Sequence, residues 1–199
     1  MKTIKVFNSY GDICPYTPWT AALLDNGIRK KLQNPKKLVG DYVHPGMTVL
    51  DIGCGTGYFT LAMAGMVGPE GTVIAVDVQE EMLNELQQKS RLMNLSHRIR
   101  LHLCKPDTIG IQEQADFILS FYMIHEVPKR HAFFLEVAGL LAPGGMYLVV
   151  EPKFHVSKAA FDETLYYATQ AGFHIQSRPK IVFSRAALLV KESNPPISV

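Results

Sequence analysis

The chain has 199 residues, of which 47% are hydrophobic, so it can bury one sizeable core. Its net charge is only +2, which excludes the large electrostatic field that attracts nucleic acid or an anionic membrane. Its apolar stretches are shorter than a membrane-spanning helix needs, and residues 1–10 lack the apolar region of a signal peptide. We therefore predict a cytoplasmic protein without membrane insertion, either a monomer or a homodimer, that acts on a small molecule.

Residues 1–45 carry several prolines and no strand pattern, which predicts a segment of short helices beside the main fold. Four of its side chains are predicted to form a lid over a substrate, although a plain hydrophobic plug would have the same sequence. They are Tyr10, Cys14, Tyr16 and Trp19. The basic run 29–31, with Lys36 and Lys37, indicates a solvated helical face, with binding to an anionic substrate or RNA as the alternative.

Residues 46–191 alternate short β-branched runs with segments of helical period, the pattern of a doubly wound α/β domain. Pro143-Gly144-Gly145 is predicted to end a helix and turn the chain into the next strand. Residues 192–199 are predicted to be a loosely held tail. The predicted strands are Met47 to Asp51, Thr72 to Asp77, Ile99 to Leu103, Asp116 to Phe121, Met146 to Glu151, and a weaker pair between Phe173 and Val190.

The segment VLDIGCGTGYFT, residues 49–60, is the most informative motif, because an apolar strand runs directly into three glycines and then into a helix. Glycine permits the positive φ of a tight turn and lets the backbone approach a ligand closely. A dinucleotide fingerprint would place a third glycine where this chain has Tyr58. The loop therefore favours a ligand with an amino-acid moiety over a pyrophosphate.

Asp77 ends the next predicted strand, twenty positions after Gly57. At that separation an acidic side chain typically accepts hydrogen bonds from the two hydroxyls of a ribose. The alternative is that Asp77 only caps the following helix, with Glu80 completing a capping-box-like pair.

These motifs resemble class I S-adenosylmethionine-dependent methyltransferases, in particular the small-molecule branch that includes ubiquinone and menaquinone biosynthesis enzymes. The resemblance covers residues 47–190 and rests on four motifs in order: VLDIGCGTG, VIAVDVQ, ADFILSFYMIHEV and LLAPGGMYLVVEP. It implies a Rossmann-like, mostly parallel seven-stranded sheet with helices on both faces and one antiparallel strand near its edge. It also implies S-adenosylmethionine as cofactor and a small-molecule acceptor as partner.

Carried over to this sequence, the resemblance puts the first motif beside the methionine moiety of the cofactor, Asp77 beside the ribose, and Val78 with Met82 beside the adenine. After the third strand, Lys105 stands where many relatives have an aspartate, so the adenine amino group is left to Asp107 or to backbone near Cys104. The full set of predicted cofactor-binding residues is Asp51, Gly53, Cys54, Gly55, Gly57, Tyr58, Asp77, Val78, Met82, Cys104, Asp107, Ser120 and Phe121.

The catalytic candidates follow the fourth strand, where the acceptor is expected. They are Tyr122, His125 and Glu126. Methyl transfer from a sulfonium needs a base only if the acceptor must lose a proton early. Histidine suits that role because its pKa lies near neutrality. The alternative for His125 is a helix cap or a hydrogen bond to backbone, and Glu126 either orients the histidine or faces solvent.

The three cysteines, Cys14, Cys54 and Cys104, are odd in number and widely spaced, so we predict no disulfide framework and no metal site. An arsenite methyltransferase is disfavoured, because Cys54 lies inside the glycine loop and only two cysteines remain to bind arsenic. The remaining alternatives are an RNA or protein methyltransferase and a non-catalytic S-adenosylmethionine-binding protein. A nucleic-acid enzyme would commonly carry an Asn-Pro-Pro-aromatic cluster after the fourth strand, where this chain has Ser120-Phe121-Tyr122-Met123.

Overall fold

The computed structural model describes residues 33–191, which form a seven-stranded sheet covered by helices on both faces. The strands are β1 (Thr48–Ile52), β2 (Thr72–Asp77), β3 (Ile99–Leu103), β4 (Ala115–Phe121), β5 (Leu141–Pro152), β6 (Phe173–Ser177) and β7 (Ser184–Lys191). The helices are α1 (Pro35–Val39), α2 (Tyr58–Met66), α3 (Glu80–Leu92), α4 (Arg130–Leu140) and α5 (Lys158–Gln170), with single 3₁₀ turns at Ser96–Arg98 and Ile124–Glu126.

The strand order is β3-β2-β1-β4-β5-β7-β6. Strands β1 to β5 pair in parallel, whereas β7 runs antiparallel between β5 and β6. The chain builds outward from β1 to β3 and then returns to place β4 on the other side of β1, so the order reverses between β1 and β4. In open α/β sheets, ligands bind in the crevice at the carboxyl ends of the strands on either side of such a reversal.

The core lies in two layers, one on each face of the sheet, because successive residues of a strand point to opposite faces. On β1, Val49 packs in the layer under α1 and α2, and its neighbour Leu50 packs in the layer under α4 and α5. On β4, Phe117 and Ile118 divide between the same two layers. Helix α3 buries Leu83 and Leu86 against β2 and β3. Because both faces are covered, the central strands contain near-continuous apolar runs.

The predicted fold class is confirmed, since the described residues form the mostly parallel seven-stranded sheet with one antiparallel strand near its edge. The bounds of β2 and β3 agree with the prediction, β1 is displaced by one residue, and β4 begins one residue earlier than predicted. The prediction for Pro143-Gly144-Gly145 was wrong in one respect. Helix α4 ends at Leu140 and β5 begins at Leu141, so these three residues lie inside β5.

The irregularity in β5 has a local cause. Leu141 pairs with Ala115, and the register shifts before Met146 pairs with Phe117, so the strand bulges between the two pairs. Gly144 has a φ of 78°, a conformation that a β-bulge accommodates with glycine. The Pro-Gly-Gly run therefore forms a kink within a strand, which a pattern of turn residues does not distinguish from a turn between elements.

The predicted N-terminal helical segment falls largely outside the described residues, which include only α1 from it. Tyr10, Cys14, Tyr16, Trp19, the basic run 29–31 and the predicted tail 192–199 lie outside them as well. The division into residues 1–45, 46–191 and 192–199 therefore stays a prediction. Among residues 33–191, no helix has the length and apolar character needed to cross a bilayer.

Candidate active site

A cavity of about 530 Å³ opens at the carboxyl ends of the parallel strands, at the reversal of strand order. Its size is that of an ordinary small-molecule site. Residues that end or follow β1, β2, β3, β4 and β5 line it, so five strands contribute to a single site.

The glycine loop between β1 and α2 is fastened to the end of β2. The amides of Gly53 and Cys54 both donate to the Val76 carbonyl, at 2.8 and 3.0 Å. Gly55 has a φ of 53°, and no protein atom lies within 4 Å of the point where a Cβ would project from it. The space beside Gly55 is therefore open to a ligand, as the sequence predicted for this loop.

Gly57 serves packing instead. It is the N-cap of α2 with a φ of 89°, and a Cβ there would lie 2.2 Å from Leu86 Cδ1. The absence of a side chain lets the loop approach α3 closely, and Gly57 itself does not line the cavity.

Asp77 ties the loop to the cavity wall. One carboxylate oxygen accepts a hydrogen bond from the Gly55 amide at 2.9 Å, and the other accepts from the Gln79 amide at 3.0 Å. Burial raises the pKa of Asp77, and the backbone hydrogen bonds partly oppose that effect. Because an ionised carboxylate has about four acceptor positions, it can also receive the two hydroxyls of a ribose. The residue that caps α3 is Gln79, so Asp77 is not the helix N-cap.

Asp51, at the carboxyl end of β1, also lines the cavity and is 2% exposed. Its Oδ2 accepts a hydrogen bond from the Thr60 hydroxyl at 2.5 Å. Thr60 belongs to α2, so this bond fixes the carboxylate relative to the helix that follows the glycine loop.

The wall after β3 is a tight turn, in which Lys105 and Thr108 exchange backbone hydrogen bonds. Cys104 precedes the turn and its amide donates to the Asp77 carbonyl at 3.0 Å. Burial, followed by the charge of Asp77, raises the pKa of the Cys104 thiol to about 11, so this thiol stays protonated at neutral pH. Asp107 lies at the exposed tip of the turn and lines the cavity.

Glu136 of α4 holds the segment that follows this turn. Its carboxylate accepts hydrogen bonds from the amides of Ile109 and Gly110, at 3.0 and 2.8 Å, and from the Thr108 hydroxyl at 3.0 Å. A single side chain from a distant helix thereby positions one rim of the cavity.

His125 stands at the other side of the cavity, in the 3₁₀ turn after β4. Its Nδ1 lies 2.5 Å from Oε2 of Glu151, a carboxylate that is 1% exposed at the end of β5. The second oxygen of Glu151 accepts from the Ile124 amide at 2.8 Å. Burial by itself would lower the pKa of His125, but the hydrogen bond and negative charge of Glu151 outweigh it, and the pKa is raised.

The other two catalytic candidates occupy the same wall. Glu126 places Oε1 3.9 Å from His125 Nε2. The Tyr122 hydroxyl accepts from Gln33 Nε2 at 2.6 Å and lies 2.6 Å from the Ser184 hydroxyl, which in turn donates to the Val182 carbonyl. The Tyr122 hydroxyl is therefore held by partners from two separate parts of the chain. Tyr122 also has a φ of 63°, an uncommon backbone conformation for a bulky residue.

These residues fit S-adenosylmethionine as a ligand. A buried carboxylate with spare acceptor positions lies beside the space at Gly55 that a Cβ would fill. Val78 and Met82 line the same part of the cavity as apolar contacts for a flat base.

The sequence comparison agrees with this geometry. A family model described as "Methyltransferase domain" matches residues 43–183. The chain belongs to this methyltransferase family. Its fold and its motifs are those of a class I S-adenosylmethionine-dependent methyltransferase, as the resemblance implied, and S-adenosylmethionine is the methyl donor of that class.

Individual relatives refine the comparison. Demethylmenaquinone methyltransferase of Lactobacillus johnsonii is 32% identical over 128 residues, which cover 63% of this chain and 50% of that enzyme. The chain spans about half the length of the curated relatives it matches.

Solved structures share the fold. One is an S-adenosylmethionine-dependent methyltransferase from Aquifex aeolicus, with a TM-score of 0.77, 24% identity and coverage of 88% of this chain and 98% of that chain. Another is a ribosomal protein L11 methylase from Lactobacillus delbrueckii, with a TM-score of 0.66, 13% identity and coverage of 82% and 80%.

Most of the predicted site residues lie around the same cavity. Gly57 packs against α3, and Ser120 is fully buried behind the wall, where its hydroxyl accepts from the Tyr147 hydroxyl at 2.9 Å. The predicted residues that line the cavity are Asp51, Gly53, Cys54, Gly55, Tyr58, Asp77, Val78, Met82, Cys104, Asp107, Phe121, Tyr122, His125 and Glu126.

Sequence reasoning missed several residues of the site. Glu151 could have been found, because it is an acidic residue at the end of an apolar strand, as Asp51 and Asp77 are. Glu136 carries no such signal, since it lies within a helix and acts on a loop 26 to 28 residues earlier.

Proposed function

We propose that this protein transfers a methyl group from S-adenosylmethionine to a small, largely apolar acceptor that carries an ionisable hydroxyl. The proposal rests on one observation. A single cavity joins the Asp77-braced glycine loop on one side to the His125–Glu151 pair on the other. A donor and an acceptor bound from these two sides would meet between them.

The sulfonium of the cofactor supplies an activated methyl group, so the chain mainly has to hold two molecules in line. Proximity and alignment of that kind can supply about 7 to 11 kcal/mol. Asp77 is placed to accept hydrogen bonds from the ribose, and the open space at Gly55 lets the ligand approach the backbone closely. Asp51, fixed by Thr60, stands on the side proposed for the methionine moiety.

His125 is proposed as the base that takes the acceptor's proton. With Nδ1 engaged by Glu151, the imidazole keeps its other nitrogen, Nε2, for the acceptor. The buried carboxylate of Glu151 fixes the tautomer and stabilises the imidazolium that forms when the proton arrives. Glu126, 3.9 Å from Nε2, adds negative charge on the same side.

The side chains near His125 favour an apolar acceptor. Beside the His155 ring that contacts His125, the cavity lining from β4 onward includes the apolar Phe121, Met123, Val127, Phe133 and Phe154. Relatives named demethylmenaquinone methyltransferase point in the same direction, since their name specifies a quinone-type ring as acceptor. A hydroxylated aromatic ring is therefore the acceptor class that we propose.

Residues 1–45 are proposed to close over this acceptor as a lid, with Tyr10, Cys14, Tyr16 and Trp19 as its contacts. Support comes from the point where the described chain begins. Gln33 donates to the Tyr122 hydroxyl, and its carbonyl accepts from the Tyr58 hydroxyl at 3.1 Å, and both tyrosines line the cavity. We further propose a cytoplasmic monomer or homodimer without a nucleic-acid partner.

Two measurements test the proposed function. S-adenosylhomocysteine should raise the melting temperature while NAD at equal concentration does not, because a ligand stabilises a protein only by binding its native state. Hydroquinones and phenols should then be screened for release of S-adenosylhomocysteine, with aliphatic thiols and amines as comparison acceptors. A larger thermal shift with NAD would overturn the cofactor assignment. Binding of S-adenosylhomocysteine without turnover on any acceptor class would favour the non-catalytic alternative.

A further inference from the structure

A second cleft, of about 510 Å³, lies outside the methyltransferase cavity, where α5 meets the segment between β6 and β7. Five cationic side chains line it, with a single acidic one, Asp162. The cations are Lys153, Lys158, Arg178, Lys180 and Arg185. They come from three separate parts of the sequence, so no basic run announces the cluster.

The charge of this cleft is out of proportion to that of the chain. Asp162 pairs with Lys158 at 2.8 Å and lies 3.9 Å from Arg178, which leaves the cleft with a net charge of +4. The whole chain carries only +2, so the remaining residues are net acidic. Like charges gathered in a concave site repel one another and raise the local concentration of anions.

Helix α5 adds to the positive potential. Its thirteen residues begin at the cleft with Lys158, and its first turn contains no acidic side chain. A helix N-terminus carries a partial positive charge and ordinarily attracts acidic residues. Lys158 is paired with Asp162 one turn further along the helix, so the partial charge of the helix end adds to the four cations that Asp162 does not neutralise.

The cleft adjoins the acceptor side of the methyltransferase cavity. Ser184 lines the cleft, and its hydroxyl lies 2.6 Å from the hydroxyl of Tyr122, which lines the cavity. Lys153 lies between Pro152 and Phe154, both of which line the cavity. Phe154, which follows Lys153, and Phe183, which precedes Ser184, are 81% and 63% exposed.

We propose that this cleft binds a phosphate group. Guanidinium and ammonium groups are the side chains that recognise phosphate, through charge-assisted hydrogen bonds. The phosphate can belong to a soluble phosphorylated molecule or to the headgroup of an anionic lipid, because both present the same group to the five cations. The site is separate from methyl transfer and does not depend on the function proposed above.

Titration of the full chain with inorganic pyrophosphate by calorimetry tests the site. The variant should replace Lys153 and Lys180 together with glutamine, since Asp162 pairs with neither of them in the structure. We expect pyrophosphate to bind about tenfold more weakly to it than to the wild type. The matched control replaces Arg91 and Arg100, two exposed cations outside the cleft, with glutamine and removes the same charge. Its affinity should stay within about twofold of the wild type.

Co-sedimentation with vesicles distinguishes the two sources of phosphate. Phosphatidylcholine vesicles with and without phosphatidylglycerol are compared for the wild type and both variants. The site is assigned to lipid headgroups if the wild type sediments only with phosphatidylglycerol vesicles and the variant lacking Lys153 and Lys180 does not sediment. Pyrophosphate binding without sedimentation assigns it to soluble phosphates. Equal losses in the two double variants, or no binding of either probe, would overturn the proposal. Melting temperatures within a few degrees of the wild type show that the variants remain folded.

Discussion

Three buried carboxylates stand at the carboxyl ends of strands and do the positional work of the site. Asp51, Asp77 and Glu151 are 2%, 7% and 1% exposed. Burial of a charge is costly unless it is hydrogen-bonded, and each of the three accepts a hydrogen bond from a neighbouring hydroxyl, amide or imidazole. Because those bonds immobilise the carboxylates, the three groups are already positioned when a ligand binds.

The first prediction concerns Asp77. Its replacement by alanine should weaken S-adenosylhomocysteine binding by about 1.5 to 3 kcal/mol, the usual worth of hydrogen bonds to a charged group. Calorimetry measures the loss. Asp107→Ala, at the exposed tip of the turn after β3, is the comparison and should cost less. Equal affinities for wild type and Asp77→Ala would reduce Asp77 to a brace for the glycine loop.

A second prediction separates grip on the cofactor from handling of the acceptor. His125→Ala should reduce turnover by about 10² to 10⁴, the span expected for a lost general base. Its affinity for S-adenosylmethionine should stay within about threefold, since Asp77 and the glycine loop are intact. Steady-state rates are compared across pH 6 to 9 on any acceptor that the screen identifies. Full turnover in the variant would make His125 structural.

The raised pKa of His125 gives a third prediction, on pH. A base acts only when deprotonated, so activity should rise as pH increases through that pKa. Glu151→Gln removes the hydrogen-bonded charge that raises the pKa of His125, and the rise in activity should move to lower pH. Glu126→Gln removes a smaller influence and should move it less. An unmoved profile in Glu151→Gln would show that another group titrates.

At the scale of elements, the loop between β1 and α2 uses two glycines for two purposes, and a fourth prediction follows from the difference. Gly57→Ala should lower stability, because the new methyl group would lie 2.2 Å from Leu86 Cδ1. Gly55→Ala meets no protein atom within 4 Å and carries only the strain of its positive φ, so it should cost less stability than Gly57→Ala and more cofactor affinity. Melting temperature and calorimetric affinity, measured on both variants, should therefore rank them in opposite orders. The same ranking by both methods would contradict this division.

Elements with a complete local signal were predictable from sequence, and those set by pairing were not. Strand β2 is an apolar β-branched run that ends in an aspartate, and its bounds were predicted to the residue. The start of β5 depends on Leu141 pairing with Ala115, which only the assembled sheet defines. Contacts such as Gln33 with Tyr122, 89 residues apart, leave no trace in local pattern.

At the scale of the whole molecule, the residues proposed to bind the cofactor and the acceptor lie together at the carboxyl ends of the parallel strands. The cofactor side uses residues before β4 and the acceptor side uses residues after it, so the middle of the sheet divides the two tasks. The N-terminal segment reaches this edge through Gln33, whose two hydrogen bonds end on cavity-lining tyrosines. Gln33 therefore contacts one tyrosine on each side of the cavity.

Trp19 allows a fifth prediction on this point, since it is the single tryptophan of the chain and belongs to the predicted lid. Excited at the red edge of tryptophan absorption, its emission should change when S-adenosylhomocysteine and an acceptor bind together. A Trp19→Phe variant supplies the background signal from tyrosine. An emission spectrum that stays constant at saturating ligand would argue against closure of residues 1–45 over the cavity.

The antiparallel strand β7 has a consequence for the order in which the sheet is completed. Strand β6 hydrogen-bonds only to β7 within the described sheet, although β6 precedes β7 in the chain. β6 therefore has no strand of this sheet to pair with until β7 forms, whether it joins β7 before or after β7 docks on β5. A lesion in residues 184–191 that prevents β7 from forming would thus release two strands rather than one.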